Sequence, residues 1–415
     1  MAVETVDESA VETAQRYTII TADSHAGGSH AQYREYLDPK FVDDFDAWRG
    51  KYRNPFKDLK DDRRERNWDS VRRWKEQEAD GVVAEVIFPN TVPPFFPSFV
   101  LFAQPPKPDD YPHRLAGIRA HNRWLVDFVG EAPHRRAGIG QIFVNDIDDA
   151  IADAIWIKEN GLRGGVLLPN ISPDATWVRP IYDPEYDRLW KVLEDLEIPI
   201  NVHGGTGAPD YGNYPISMLL YITEVGFYSQ RPFAHFVLGG IFKRFPRLKM
   251  VITETGCSWM PGLLRQLDET IIRIRDTGAT GEIRYNEDSK LTKTATECFN
   301  ENVWMGVSQP RPADAAVRGI FGPGRFMWGS DYPHDEGTYP FTHEHLRQIF
   351  PGVPQAEMHD LLGGNAAKLY GFDLAKLAPY AAEHGPLVSE IAKPLTALPA
   401  NANDAIMRGA SGSLL

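Results

Sequence analysis

The sequence predicts an α/β protein built as a (β/α)8 TIM barrel, and two observations point there. Eight short apolar runs rich in β-branched residues recur with amphipathic segments between them, and metal-type ligands terminate several of those runs. The runs are Tyr17–Ala22, Val82–Phe88, Ala137–Phe143, Gly165–Leu168, Pro199–Val202, Lys249–Thr253, Asn302–Met305 and Phe326–Trp328. Strands this apolar have no solvent-facing side, which fits a parallel sheet covered by helices. Between them, Asp146–Gly161 and Asp183–Glu197 carry apolar residues at spacings of three and four behind an acidic start, and the first closes on a Gly. They read as crossover helices. No Gly-rich phosphate loop follows the first run, which disfavours an open dinucleotide-binding sheet.

Three insertions interrupt the alternation, after strands one, two and five. Leu37–Gln77 is charged and holds Trp48, Trp68 and Trp74, so it reads as a helical excursion over the barrel mouth. Asn90–Pro112 is loaded with Pro and Phe, and its aromatics either wall a pocket or pack a subunit interface. Gly204–Gln230 contributes Tyr211, Tyr214, Tyr221, Phe227 and Tyr228 as a third candidate wall or lid. The barrel is expected over residues 16–375. An acidic disordered tail precedes it over 1–15, and an extension follows over 376–415, read from Asp373 onward as a tail able to wrap a neighbouring subunit.

Composition narrows the partners. A net charge of -13 leaves no basic excess to neutralise phosphates, so a small organic substrate is expected and nucleic acid is not. No apolar stretch is long enough to span a bilayer, and the first 15 residues lack the apolar core of a signal peptide. Cys257 and Cys298 are too few for a disulfide framework, which suits the cytoplasm, and Cys257 reads as a small buried residue.

Asp23 and His25, in TIITADSHAGG, are two residues apart on a strand, so both point to one side at the barrel rim. His203 ends IPINVH and is followed by two glycines that let the backbone turn. Asp331 ends the eighth run in FMWGSDYPH, ahead of a Pro turn and His334. Each motif alone has an ordinary explanation: a surface turn, a core His, a helix cap. Their joint occurrence at strand ends points to a metal site. His235, in FAHFVLGG, reads as a helix-packing residue, His30 as a solvated spare ligand, and IFKRFPRLK as structural.

The stretches TADSHAGG, NVHGG, LGGIFKRFPRLKMVITETGCSWMPGLL, FMWGSDYPH and GGNAAKLYGF resemble those of the amidohydrolase-related metal enzymes of the amidohydrolase superfamily, over about Tyr17 to Phe372. That group includes aminocarboxymuconate-semialdehyde decarboxylase and resorcylate-type decarboxylases. The resemblance implies that His25, His203 and Asp331 ligate a metal, with Asp23 in a position that other members fill with His or Glu. It also implies that Asp331 handles the proton of metal-bound water, and that the enzyme pairs as a homodimer. One departure stands out: VITETG puts Glu254 where the decarboxylases carry an acid-base His.

Asp23, His25, His203, Glu254 and Asp331 together offer three carboxylates and two imidazoles, enough for one divalent ion (Zn, Mn or Fe) or for two. Glu254 is then a direct ligand or the orienting partner of a ligating His or of an Arg. Asp331 and Glu254 are the expected catalytic residues. The expected reaction is hydrolysis by a metal-bound hydroxide acting on a small or medium organic substrate. One alternative is non-oxidative decarboxylation on the same scaffold. Another is oxygenation by a dinuclear iron centre of a bulky apolar substrate, such as the terpenoid acyl thioesters that some relatives resemble enzymes for.

Overall fold

The computed structural model describes residues 15–53, 61–98, 103–322 and 324–410. Its centre is one sheet of eight parallel strands in sequential order. They are β1 (Ile19–Ala26), β2 (Val82–Pro89), β3 (Arg136–Gln141), β4 (Gly165–Leu167), β5 (Ile200–His203), β6 (Met250–Thr253), β7 (Val303–Ser308) and β8 (Phe326–Gly329). All eight predicted runs are strands. The ring closes between β1 and the residues just after β8, where the Asp331 amide donates to the Asp23 carbonyl (2.9 Å) and the His25 amide to the Tyr332 carbonyl (2.7 Å). The architecture is a (β/α)8 barrel with helices outside.

Alternation divides each strand between two cores. Ile20 and Ala22, Ala84, Val86 and Phe88, Ala137 and Ile139, Val251 and Met327 form the barrel interior, capped below by Tyr370, Phe372 and Leu377. The intervening residues, among them Ile19, Val82, Val202, Ile252, Val307 and Trp328, pack under the helices. Fully burying each large apolar side chain stabilises by about 1.5–3 kcal/mol.

The first predicted helix forms over Ile147–Glu159, with the Asp146 carboxylate capping the Asp149 amide and Gly161 just beyond its end. The second begins as a single tight turn, Pro184–Tyr186, and continues over Asp187–Asp195.

Two expectations need correction. Gly204–Gln230 is not one long loop: only its first part is irregular, and from Ser217 it runs into a 22-residue helix ending at Leu238. Tyr221 packs inside, whereas Leu219, Ile222 and Phe227 face outward. The residues after Asp373 do not trail away either. Helices Leu374–His384, Val388–Ile391 and Asp404–Ala410 fold back on the same chain, burying Leu377, Ile391 and Ile406. The expected acidic tail falls outside the described residues, apart from Gln15. No helix among the described residues is long and apolar enough to cross a membrane.

Candidate metal centre and cavity

All five predicted ligands meet at the C-terminal mouth of the barrel. In β1 the step from Thr21 to Ser24 is opposed by only Glu85 to Ile87 in β2, one residue fewer. This bulge changes which face the strand presents, so that inward-facing Ile20 and Ala22 are followed by inward-facing Asp23 and His25. Ser24 is turned outward and donates to the Glu85 carboxylate (3.0 Å). His203 arrives on β5 by plain alternation. At Gly204 an added Cβ would stand 2.3 Å from the Glu254 carbonyl oxygen, so a glycine there lets the ends of β5 and β6 close together. Glu254 and Asp331 both adopt the left-handed backbone region, with φ of 56° and 61°. Non-glycine residues pay for that conformation, and it recurs where side chains are aimed at a site.

The donor atoms stand close without bonding well. His25 Nε2 is 3.3 Å from Asp23 Oδ1 and 3.2 Å from Asp331 Oδ1, and His203 Nε2 is 3.4 Å from Asp23 Oδ1. Yet His25 Nε2 is buried and makes no hydrogen bond. Ligands about 2.1 Å from a shared ion and about 90–110° apart stand about 3.0–3.4 Å from one another, which is the spacing found here. The orphaned nitrogen, the spacing and the mixed imidazole and carboxylate donors fit a divalent ion: Asp23, His25, His203 and Glu254 bring one set of donor atoms within 4.8 Å of one another, and His25, Asp331 and His334 bring a second that shares His25.

The surrounding contacts hold the ligands in place. His25 Nδ1 faces the Pro89 carbonyl (3.2 Å), fixing Nε2 toward the cluster. The Ser308 hydroxyl donates to Asp23 Oδ2, and the Gln309 side-chain amide to Asp331 Oδ2. His334, which the sequence reading noted without giving it a role, places Nδ1 2.7 Å from Asp331 Oδ1 and Nε2 3.0 Å from Asn90 Oδ1. Burial opposes a charge on His334, but the adjacent Asp331 carboxylate outweighs it and holds the imidazole up at about 9.

Glu254 differs from the other carboxylates in its exposure. Its Oε2 lies 3.2 Å from His203 Nδ1, the ring nitrogen that does not face Asp23. Its side chain is 27% exposed, whereas Asp23 and Asp331 are fully buried. Even so, it has donor spacing with Asp23, His25 and His203, and again with Asp331, His334 and Glu336. Burial, and after it the Asp331 charge, pushes the Glu254 carboxyl up to about 7.

A cavity of about 660 Å³ opens beside the cluster and reaches His25, His203, Glu254 and His334. Of the three insertions, the Pro- and Phe-rich one supplies most of the wall: Asn90, Thr91, Pro93, Phe96, Ala103, Gln104 and Pro105. Gly204–Thr206 add a short edge. Leu37–Gln77 contributes no lining residue among those described, but it meets the mouth through Arg63, which pairs with Asp335 (2.8 Å), and Asn67, which accepts from Asn90 (2.6 Å), and both partners line the cavity. His30 is not solvated as expected: Nε2 faces the Val92 carbonyl (3.0 Å) and the ring packs against Trp48 and Tyr52. His235 stacks edge-on against Tyr182, and the buried Cys257 points its thiol at the Asp314 carbonyl.

The sequence profile of the amidohydrolase family matches residues 67–372. No curated protein matches the chain in sequence. Among solved structures, 5-carboxyvanillate decarboxylase from Sphingomonas paucimobilis aligns with a TM-score of 0.60 at 19% identity, covering 86% of this chain and 100% of the other. The 2,6-dihydroxybenzoate decarboxylase from Rhizobium gives 0.59 at 15% identity, with coverages of 86% and 99%. A dihydroxybenzoic acid decarboxylase from Polaromonas sp. JS666, solved with manganese and the inhibitor 2-nitroresorcinol, gives 0.59 at 15% identity, with coverages of 87% and 99%.

Proposed function

The chain belongs to the amidohydrolase family, and from that premise we propose that it is a metal-dependent carboxy-lyase, removing a carboxyl group without oxidation from an organic acid held in the cavity. The observation that carries this reading is the position of Glu254. It is the one carboxylate of the five-residue cluster with a side chain partly open to the cavity, and it lies off the far nitrogen of His203. Such a group is placed to exchange protons with a substrate. The decarboxylase structures that share the fold support the same reaction class.

In this reading Asp23, His25, His203 and Asp331, linked by contacts of 3.2–3.4 Å, hold one divalent ion, and manganese is the first candidate because it is present in structures of similar fold. Bound there, the ion supplies a Lewis acid for substrate oxygens. The chain's own groups do the rest. The bond between the carboxyl carbon and the substrate carbon breaks, its electron pair stays on the substrate carbon, and the Glu254 carboxyl delivers a proton there as CO2 leaves. Phe88, Phe96 and Phe143 line the same cavity and offer an apolar surface to the body of the substrate. His203 Nδ1, at 3.2 Å from Glu254, orients that carboxyl between turnovers.

Hydrolysis is the second reading, and the Asp331–His334 pair favours it. A carboxylate 2.7 Å from an imidazole that is itself held by Asn90 is suited to taking a proton from water, with Glu254 protonating the leaving group. Manganese-loaded protein assayed against hydroxybenzoic acids and matched aryl esters in D2O separates the two. Release of CO2 with deuterium on the product carbon supports the lyase, whereas ester cleavage without CO2 release rejects it. Oxygen uptake coupled to product formation would instead support the dinuclear iron oxygenase. The homodimer is likewise proposed, supported only by the outward apolar residues Leu219, Ile222 and Phe227, and sedimentation velocity tests it.

A further inference from the structure

The cavity wall opposite the ligand cluster carries a buried cation with no counter-ion. Arg114 lies near the start of the helix Tyr111–Gly130, is 8% exposed and lines the cavity. Its guanidinium stacks 4.1 Å over the Phe96 ring and 5.5 Å from Phe143, and Nη1 donates to the Gln104 carbonyl (2.6 Å). No carboxylate lies within ion-pair distance of it among the described residues, and its Nε is buried without a hydrogen-bond partner. The side-chain nitrogen of Gln141, at the end of β3 and lining the same cavity, is also buried and unpartnered. Every other arginine with nine-tenths or more of its surface buried, Arg73, Arg135 and Arg136, has a carboxylate partner. A buried cation without one is costly unless something else neutralises it.

We propose that Arg114 and Gln141 form an anion-binding subsite that takes a carboxylate of the substrate remote from the bond that breaks. The position argues for a spectator group. Arg114 packs against Phe143, just beyond β3, whereas the ligands come from the ends of β1, β5 and β6 and from just after β8, so the cavity spans the barrel mouth between them. Chemistry argues the same way. A carboxylate that must become neutral CO2 is held back by a fixed cation, because that contact weakens in the transition state. A carboxylate that keeps its charge is anchored without that penalty. The substrate class is thus an organic acid with an apolar body lying across Phe96 and Phe143, whose reacting end reaches Glu254. This rests on the proposed function for the identity of the reacting end, but the anion subsite itself holds for hydrolysis equally.

Titration calorimetry with 4-phenylbutyrate and 4-phenylbutan-1-ol tests it, on metal-loaded protein and again after chelator dialysis. The acid is expected to bind at least about 10-fold more tightly than the alcohol in both states, since a charge-assisted hydrogen bond contributes about 1.5–3 kcal/mol. That preference falls to near unity in Arg114→Gln and is partly kept in Arg114→Lys. Equal binding of the pair, or no binding of the acid, overturns the proposal. So does a preference that vanishes with the metal, or one that persists in Arg114→Gln. Should Arg114→Gln fail to fold, the wild-type and Arg114→Lys titrations still decide. Absence of CO2 release with the acid preference intact would strike the carboxy-lyase reading and leave this subsite standing.

Discussion

Two clusters of buried charge stand on opposite sides of the barrel wall, and they are built on opposite plans. Outside the barrel wall, Glu85 of β2 is fully buried yet completely answered: Arg73 reaches it at 2.5 Å, Arg136 at 3.2 Å and Gln77 at 3.1 Å. Inside, at the mouth, Asp23, Glu254 and Asp331 form their ion pairs only with histidines among the described residues. In the first cluster every charge has an opposite charge beside it, Arg136 reaching Glu131 (3.4 Å) as well as Glu85, and none is left for a ligand. The second gathers carboxylates around an imidazole nitrogen that makes no hydrogen bond, an arrangement that an added cation would complete. Arg114 is the mirror image, a buried cation awaiting an anion. Buried charge that is paired locally reports on stability, and buried charge left unpaired reports on function.

The two clusters touch, because Arg73 also donates to the His25 carbonyl (2.8 Å) and Ser24 bonds Glu85. Substitutions should nonetheless separate them. The largest effect is expected from His203→Ala, which should lose bound metal and reduce turnover by about 10³-fold or more, while the metal-free protein melts no lower than metal-free wild type. Elemental analysis and thermal melts check it, and a collapsed fold would merge the two roles. Glu85→Gln should do the reverse. Leaving two buried arginines short of a partner costs about 3–5 kcal/mol of stability, read by denaturant titration, yet protein that remains folded should keep its metal.

Glu254→Gln should retain the metal and lose turnover by about 10²-fold. Loss of metal instead would make Glu254 a ligand alongside Asp23, His25 and His203, with which it has donor spacing. The smallest effect is in pH. Burial works to raise the Glu85 carboxyl from 4.5, but Arg73 and Arg136 overcome it and hold the group down at about 2. Its contribution is therefore complete above 4.5 and is lost as pH falls through about 2, so acid denaturation should be shallower over that window in Glu85→Gln.

What was legible in the sequence followed from burial. Strands covered on both faces are continuous apolar runs, and all eight could be read, as could His203 and Asp331 at their ends. The β1 bulge was not legible, because an extra residue leaves no compositional trace, and Asp23 and His25 face inward by virtue of it. His334 and Asn90 depend on how loops fold over the mouth, and Gln141 and Arg114 on which strand end and helix turn face the cavity, which no periodicity encodes. Glu85 left one signal, a single acid inside VVAEVIF. The long helix Ser217–Leu238 was taken in part for a lid because its aromatics looked like pocket lining, whereas Phe227 points outward.

The most direct test of the cluster at the mouth is metal stoichiometry by elemental analysis of protein purified without added metal, compared with His203→Ala. At least about one equivalent of a divalent ion per chain in the wild type, absent from the variant, is the predicted result. Less than about a tenth of an equivalent of any metal in active wild-type protein would contradict it.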